Sequence, residues 1–236
     1  MINITNEDNM ALMSRYPDKY FDLAIVDPEY GIGASKPNTD ISRCYVKQKN
    51  GTILKTKPSN YTQKDWDNKP AGVEYFNELF RVSKNQIIWG ENYFNMPNGG
   101  RIVWDKLNGD NHQMGCEIAY CSLNIRTDII YYLWSGMMQG INCSRNVKKA
   151  LVQQGNKRLN EKREHPTQKP IAVSKYLLET YAKPDWKILD TNYGYGGLGI
   201  ACHDYGFDLT ACELDKEYYD KAMLRLKNHT NQVKLF

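Results

Sequence analysis

The stretch Lys187-Ile188-Leu189-Asp190-Thr191-Asn192-Tyr193-Gly194-Tyr195-Gly196-Gly197-Leu198-Gly199 reads as a short strand that enters a glycine-rich turn and opens a helix running through Cys202. Its last six residues satisfy Gly-x-Gly-x-x-Gly, a pattern that lets backbone approach a ligand closely at a helix N-terminus. Glu213 ends the next apolar run, 19 residues after Gly194, where a carboxylate can accept hydrogen bonds from ribose hydroxyls. Strand, helix and acid in this register point to an adenosine-bearing cofactor. Only 37 residues follow Gly199, enough for one helix, one strand, a second helix and a tail. A nicotinamide-dependent reductase built from this loop onward would lack most of its sheet, which makes that reading the remote one. The missing strands lie upstream, so the fold is permuted, with its cofactor loop late.

Upstream, Asp22-Leu23-Ala24-Ile25-Val26-Asp27-Pro28-Glu29-Tyr30-Gly31-Ile32-Gly33 reads as a parallel strand covered on both faces and stopped by Pro28 and Gly31. Ligands of open α/β sheets bind beyond the carboxyl ends of the strands, which is where Asp27 to Tyr30 fall. Other strands are expected at Ile2–Thr5, 86–90, 101–104, 116–123 and 209–213, with an edge strand at Gln232–Phe236. Helices are expected from Met10 to Ser14 and around Val73, Phe76 and Phe80. Two more follow, one after Pro170 burying Val173, Tyr176, Leu177, Thr180 and Tyr181, and one through Tyr219, Ala222, Met223 and Leu226. Residues 34–65 lack steady periodicity and read as a functional lid or binding loop, or else as a disordered one. Residues 124–164 break the rhythm with an aromatic cluster, Ile130 to Trp134, and then a basic run; they read as an insertion outside the main sheet.

The net charge of +4 is modest, but it is unevenly spread: residues 34–64 carry +6, residues 124–164 carry +5, and the remainder carries −7. Both basic stretches are interleaved with aromatics, Tyr45, Tyr61, Tyr131, Tyr132 and Trp134, which suits phosphate and base contacts on a nucleic acid. No apolar run is long enough to span a membrane, and the first residues lack the basic and apolar regions of a signal peptide, so a cytoplasmic protein is expected. Cys44, Cys116, Cys121, Cys143, Cys202 and Cys212 include no Cys-x-x-Cys pair, and neither disulfides nor zinc are expected.

An early Asp27-Pro28-Glu29-Tyr30, then an insertion, then His165-Pro166-Thr167-Gln168-Lys169-Pro170 and finally the glycine loop: this order resembles the beta class of site-specific DNA adenine-N6 methyltransferases. Many of these belong to phages, mobile elements or restriction–modification systems. The resemblance implies a permuted Rossmann-like α/β fold, a mostly parallel sheet with helices on both faces. Residues 1–123 would form the catalytic half, including the basic loop 34–65. Residues 124–164 would form the target-recognition insertion and residues 165–236 the cofactor-binding half. It implies S-adenosyl-L-methionine as cofactor and double-stranded DNA as partner, with a homodimer or a methyltransferase-like partner subunit as further arrangements. By the same resemblance Asp27, Pro28, Glu29 and Tyr30 form the catalytic turn. The cofactor residues would be Asp8, Asp27, Thr167, Lys169, Asp190, Thr191, Asn192, Gly194, Gly196, Glu213 and Leu214, with Glu213 on the ribose, Asp8 near the adenine, and Thr167 and Lys169 near the methionine end.

An exocyclic amine is a poor nucleophile because its lone pair is delocalised into the base. Hydrogen bonds to the Asp27 carboxylate and the Pro28 carbonyl would favour a tetrahedral nitrogen, Tyr30 would stack on a flipped-out base, and Asp27 would stabilise the developing positive charge. Two departures stand out. Glu29 replaces the family's second proline, and Tyr195 and Gly197 stand where small hydroxyl residues are usual. These leave two alternatives to an adenine-N6 enzyme: a DNA-binding protein or silent subunit that lost cofactor use, and a cytosine-N4 methyltransferase. Aspartate at position 27 disfavours the second.

Overall fold

Leu23 and Ile25 pack into one apolar core and Ala24 and Val26 into another, so the strand that carries them is covered on both faces. Burying a side chain of this size contributes roughly 1.5–3 kcal/mol, and nothing polar interrupts the run until Asp27. The computed structural model describes residues 1–34, 45–47, 51–55, 64–109, 114–135, 138–165 and 167–231. Its elements in chain order are β1 (Ile2–Thr5), α1 (Asn9–Met13), β2 (Phe21–Val26), β3 (Tyr45–Lys47), β4 (Ile53–Lys55), α2 (Val73–Val82), β5 (Ser83–Trp89) and β6 (Gly100–Asp105). Then come β7 (Cys116–Cys121), β8 (Thr127–Tyr131), β9 (Trp134–Ser135), β10 (Met138–Gln139), α3 (Val147–Ala150), α4 (Ile171–Tyr181), β11 (Lys187–Asp190), α5 (Gly197–Tyr205), β12 (Asp208–Cys212) and α6 (Lys216–Thr230).

Eight strands form one sheet in the order β1-β12-β11-β2-β5-β7-β6-β8. Strand β7 runs against both its neighbours, and every other pairing is parallel. Helices α1 and α2 cover one face through Leu12, Met13, Tyr75, Phe76 and Leu79, while α4, α5 and α6 cover the other through Val173, Leu177, Ala201 and Leu226. This is the mostly parallel, Rossmann-like arrangement expected from the sequence. The late strands β11 and β12 fill the gap between β1 and β2, which is the permutation read from the position of the glycine loop.

Several expectations need correction. Residues 124–164 do not all lie outside the sheet: β8 is its edge strand, paired with β6 from Arg101–Thr127 to Asp105–Tyr131. Ile130, Tyr132 and Trp134 are therefore core residues, and the Trp104 indole donates to the Tyr132 carbonyl (3.2 Å). The loop at 34–65 carries a short antiparallel pair, β3 with β4. In α2 the buried face is Tyr75, Phe76, Leu79 and Val82, leaving Val73 exposed. In α4 Thr180 is exposed and Leu178 takes its place in the core. The edge strand expected at Gln232–Phe236, Pro166, and much of the basic loop, including Lys36, Arg43, Lys49 and Lys57, lie outside the described residues. Among the described residues no helix is long and apolar enough to cross a membrane.

Candidate active site

Pairing sets the site. Strand β11 joins β2 through Ile188–Leu23 and Leu189–Ala24, and joins β12 through Asp190–Ala211. Asp27, Asp190 and Glu213 therefore come off the carboxyl ends of three adjacent strands. They line one cavity of about 1150 Å³, which also takes in Asp8, Glu29, Thr167, Lys169, Thr191, Asn192, Gly194, Gly196 and Leu214. Of the residues singled out from the sequence, only Pro28 and Tyr30 are not on its wall; Pro28 is buried behind the turn, and Tyr30 sits beside Asp27.

The Tyr30 hydroxyl donates to the Asp27 carboxylate, and Lys169 Nζ reaches the other oxygen at 2.5 Å. Lys169 also pairs with Glu117 on β7 (3.1 Å), which in turn holds Lys106 (2.6 Å). Burial opposes charge on Asp27, Glu117 and Lys169. For Glu117 the two lysines outweigh that penalty and hold its pKa at about 2. Burial likewise disfavours a charged Lys169, but Asp27 and Glu117 more than compensate and raise its pKa. Burial pushes the Asp27 carboxyl up, against the pull of Lys169. Lys169, expected from the resemblance near the methionine end of the cofactor, is the hub of an ion-pair chain.

Position 30 is shaped from a distance. Tyr93 stacks on the Tyr30 ring (centroids 4.9 Å apart, 15° between planes). Gly90 lies so close that a Cβ there would be 2.1 Å from the tyrosine ring. Past the ring the turn is clamped by Asp67, whose two carboxylate oxygens accept from Gly31 N and Ala34 N, each at 2.7 Å.

The glycine loop has its own logic. Gly194 and Gly196 have φ of +55° and +76°. A Cβ on Gly199 would fall 1.9 Å from the Tyr193 hydroxyl, so this glycine makes room for a buried tyrosine, not for a ligand. Tyr195 does not fill the cavity: the Arg225 guanidinium lies 4.5 Å over its ring and donates to its carbonyl, and Glu161 holds Arg225 (2.6 Å). Asp190, 6% exposed, accepts from Asn192 N, and burial together with the charges of Asp27 and Glu213 lifts its carboxyl to about 7. Glu213 spans the loop, accepting from Gly194 N (2.7 Å) and Asp215 N (2.8 Å).

Asp8 caps α1 through Met10 N and Ala11 N. Asn6 donates to the Glu213 and Leu214 carbonyls, which fixes the rim where Leu214 is exposed. Thr167 bonds the His165 ring nitrogen (3.2 Å). Burial, helped by Lys169, lowers His165 to about 3, so its ring is neutral between Trp66 and Tyr218. Lys64, counted among the basic residues of the early loop, is committed to Asp215 (2.9 Å) and Glu217 (3.0 Å) at the start of α6. Elsewhere, Arg145, Lys148, Lys149, Arg158 and Lys162 are exposed, which leaves a basic surface on residues 145–162. Sequence reasoning missed Glu117, Lys106, Asp67, Tyr75 and Tyr93, none of which carries a local motif.

A family model described as DNA methylase, covering N6 and N4 methyltransferases, matches residues 34–224. The type II methyltransferase M.HpaI of Haemophilus parainfluenzae is 23% identical over 241 residues, covering 89% of this chain and 69% of that protein. Among solved structures, the M1.HpyAVI–SAM complex superposes with a TM-score of 0.51 at 18% identity, covering 95% of this chain and 100% of that one. The cytosine-N4-specific PvuII DNA methyltransferase gives 0.52 at 11% identity, covering 98% and 90%. At these identities the two superpositions speak for the fold alone.

Proposed function

The chain belongs to the DNA methylase family of N6 and N4 methyltransferases, and we propose that it transfers the methyl group of S-adenosylmethionine to the N6 amine of an adenine flipped out of duplex DNA. One observation carries this: Asp27, with Pro28 behind it and Tyr30 bonded to it, opens onto the same cavity as the glycine loop and Glu213. The cavity wall carries more carboxylates than cations, Asp27, Glu29, Asp190 and Glu213 among them, and such a wall suits a cationic ligand. The cofactor carries such a charge, and when bound it supplies a methyl group already activated by its sulfonium. Glu213 and Asp8 would hold its adenosine end, and Asp190 to Gly196 its middle.

The chain's own residues then have defined tasks. Asp27, kept in place by Lys169 and Tyr30, accepts a hydrogen bond from the target amine and stabilises the positive charge that develops there. The Pro28 carbonyl accepts the second amine hydrogen and Tyr30 stacks on the base, sharing its ring with Tyr93. Because the methyl group needs little further activation, most of the catalysis is positioning. Residues 124–164 would read the DNA, β8 anchoring them to the sheet and the basic surface at 145–162 meeting phosphates.

Adenine is preferred over cytosine because the resemblance ties aspartate at position 27 to adenine enzymes. The lost-function alternative is weakened by Tyr195, which is stacked under Arg225 rather than blocking the loop. Incubation with duplex DNA and S-adenosylmethionine, followed by nucleoside mass analysis, tests the reading. It predicts N6-methyl-2′-deoxyadenosine from the wild type and none from Asp27→Ala. N4-methylcytosine would transfer the reading to the cytosine branch, and no modification from a folded protein would favour the binding-protein alternative.

A further inference from the structure

Of the cavity carboxylates, Asp27, Glu29, Asp190 and Glu213 lie at the ends of β2, β11 and β12, and three of these are already engaged. Asp27 is paired with Lys169, Glu213 accepts two backbone N–H groups, and Asp190 accepts one while remaining nearly inaccessible. Glu29 differs. Among the described residues no lysine or arginine pairs with it, and its carboxylate accepts only from neutral groups, its own backbone N–H and the amide of Asn192, which donates to Oε1 at 3.2 Å. Burial pushes its carboxyl up, and Asp67 and Asp27 add to the shift. A carboxylate left this way in a protein wall is unfavourable unless a cation arrives.

The carboxylate is also held still. The Glu29 carbonyl accepts from Ala71 N (2.9 Å), and the next residues are clamped by Asp67. Asn192 is fixed in turn, its carbonyl oxygen accepting from Thr191 (2.8 Å) and from the Tyr75 hydroxyl (3.2 Å). A buried network thus aims an uncompensated negative charge into the cavity, two residues from Asp27 and beside the glycine loop.

Resting on the cofactor reading above, we propose that Glu29 is the acceptor for the cofactor's α-ammonium group, and that Asn192 positions it. In S-adenosylmethionine the ammonium is three carbons from the sulfonium sulfur. A sulfonium that presents its methyl at the Asp27–Pro28 turn therefore brings the ammonium within reach of this neighbouring carboxylate. The glutamate that replaces proline here is then a cofactor-binding residue and not a sign of decay. The ion pair replaces the missing countercharge, and charge-assisted hydrogen bonds of this kind are roughly twice as strong as neutral ones.

The test is calorimetric and does not depend on turnover. Wild type, Glu29→Gln and Glu29→Asp are titrated with S-adenosylhomocysteine and with its analogue in which hydrogen replaces the α-amine. The wild type should prefer the amine-bearing ligand by about tenfold or more. Glu29→Gln should lose most of that preference, Glu29→Asp should keep part of it, and thermal melting should find both variants folded. Equal binding of the two ligands by wild type, or an undiminished preference in Glu29→Gln, overturns the proposal while the cofactor reading stands. Failure of wild type to bind S-adenosylhomocysteine overturns both.

Discussion

Two neighbouring strands, β2 and β11, each end on an aspartate facing one cavity, and the two carboxylates are treated in opposite ways. Asp27 is given a lysine at 2.5 Å, a tyrosine hydroxyl and a second acid, Glu117, that shares the lysine. Asp190 is given a backbone N–H and no cation among the described residues, and its carboxyl sits at about 7. The first arrangement fixes a charged acceptor in place before any substrate arrives. The second keeps a carboxyl inside the protein and beside other acids, where burial favours its neutral form.

The sharpest way to break the contrast is to remove the engaged carboxylate. Asp27→Ala should lower the methyl-transfer rate by roughly 10²–10³-fold, as deletion of a charge-stabilising group does in other sites, with cofactor affinity in calorimetry changed far less. Removing its cation instead attacks stability. Lys169→Met leaves two half-buried carboxylates, Asp27 and Glu117, short of a partner and should destabilise the chain by about 2–4 kcal/mol in urea unfolding at pH 8.

Asp190→Asn should do the reverse. The folded-state pKa of about 7 lies above the ordinary 3.8, so ionised Asp190 opposes folding above pH 7. The asparagine variant should therefore be more stable than wild type at pH 8, by roughly 2–4 kcal/mol. That gain should shrink as pH falls from 7 and vanish below about 3, where wild-type Asp190 is protonated in both states. A flat difference across that range would mean that Asp190 is not the strained group. The smallest effect is expected on the DNA side. Lys148→Ala combined with Lys149→Ala should weaken binding similarly for all sequences and reduce the slope of log affinity against log salt by about 1–2.

The two aspartates were legible in the sequence because each closes a short apolar run and is followed at once by turn residues. The late position of the glycine loop was enough to show that the fold is permuted. What surrounds them was not legible. Glu117 meets Lys169 only because β7 runs antiparallel to β5, and Asp67 reaches the turn after Tyr30 from 36 residues away. Strand β8 was hidden by its own chemistry. Its buried positions are Asp128 and Ile130, and the aspartate, 8% exposed, is satisfied by the Tyr181 hydroxyl and Arg126 rather than by apolar neighbours. An alternation with a charged residue on its inner face does not register as hydrophobic. Tyr195 could not be judged either, since the guanidinium that stacks on it belongs to α6.

Expression in a host that lacks its own DNA methylation, followed by sequencing of modified bases across the genome, bears most directly on the central claim of an Asp27-dependent adenine-N6 methyltransferase. N6-methyladenine enriched at one short sequence with wild type, and absent with Asp27→Ala, is the predicted result. An unmodified genome from a well-expressed, folded wild-type protein, or methylation that persists in Asp27→Ala, would contradict it.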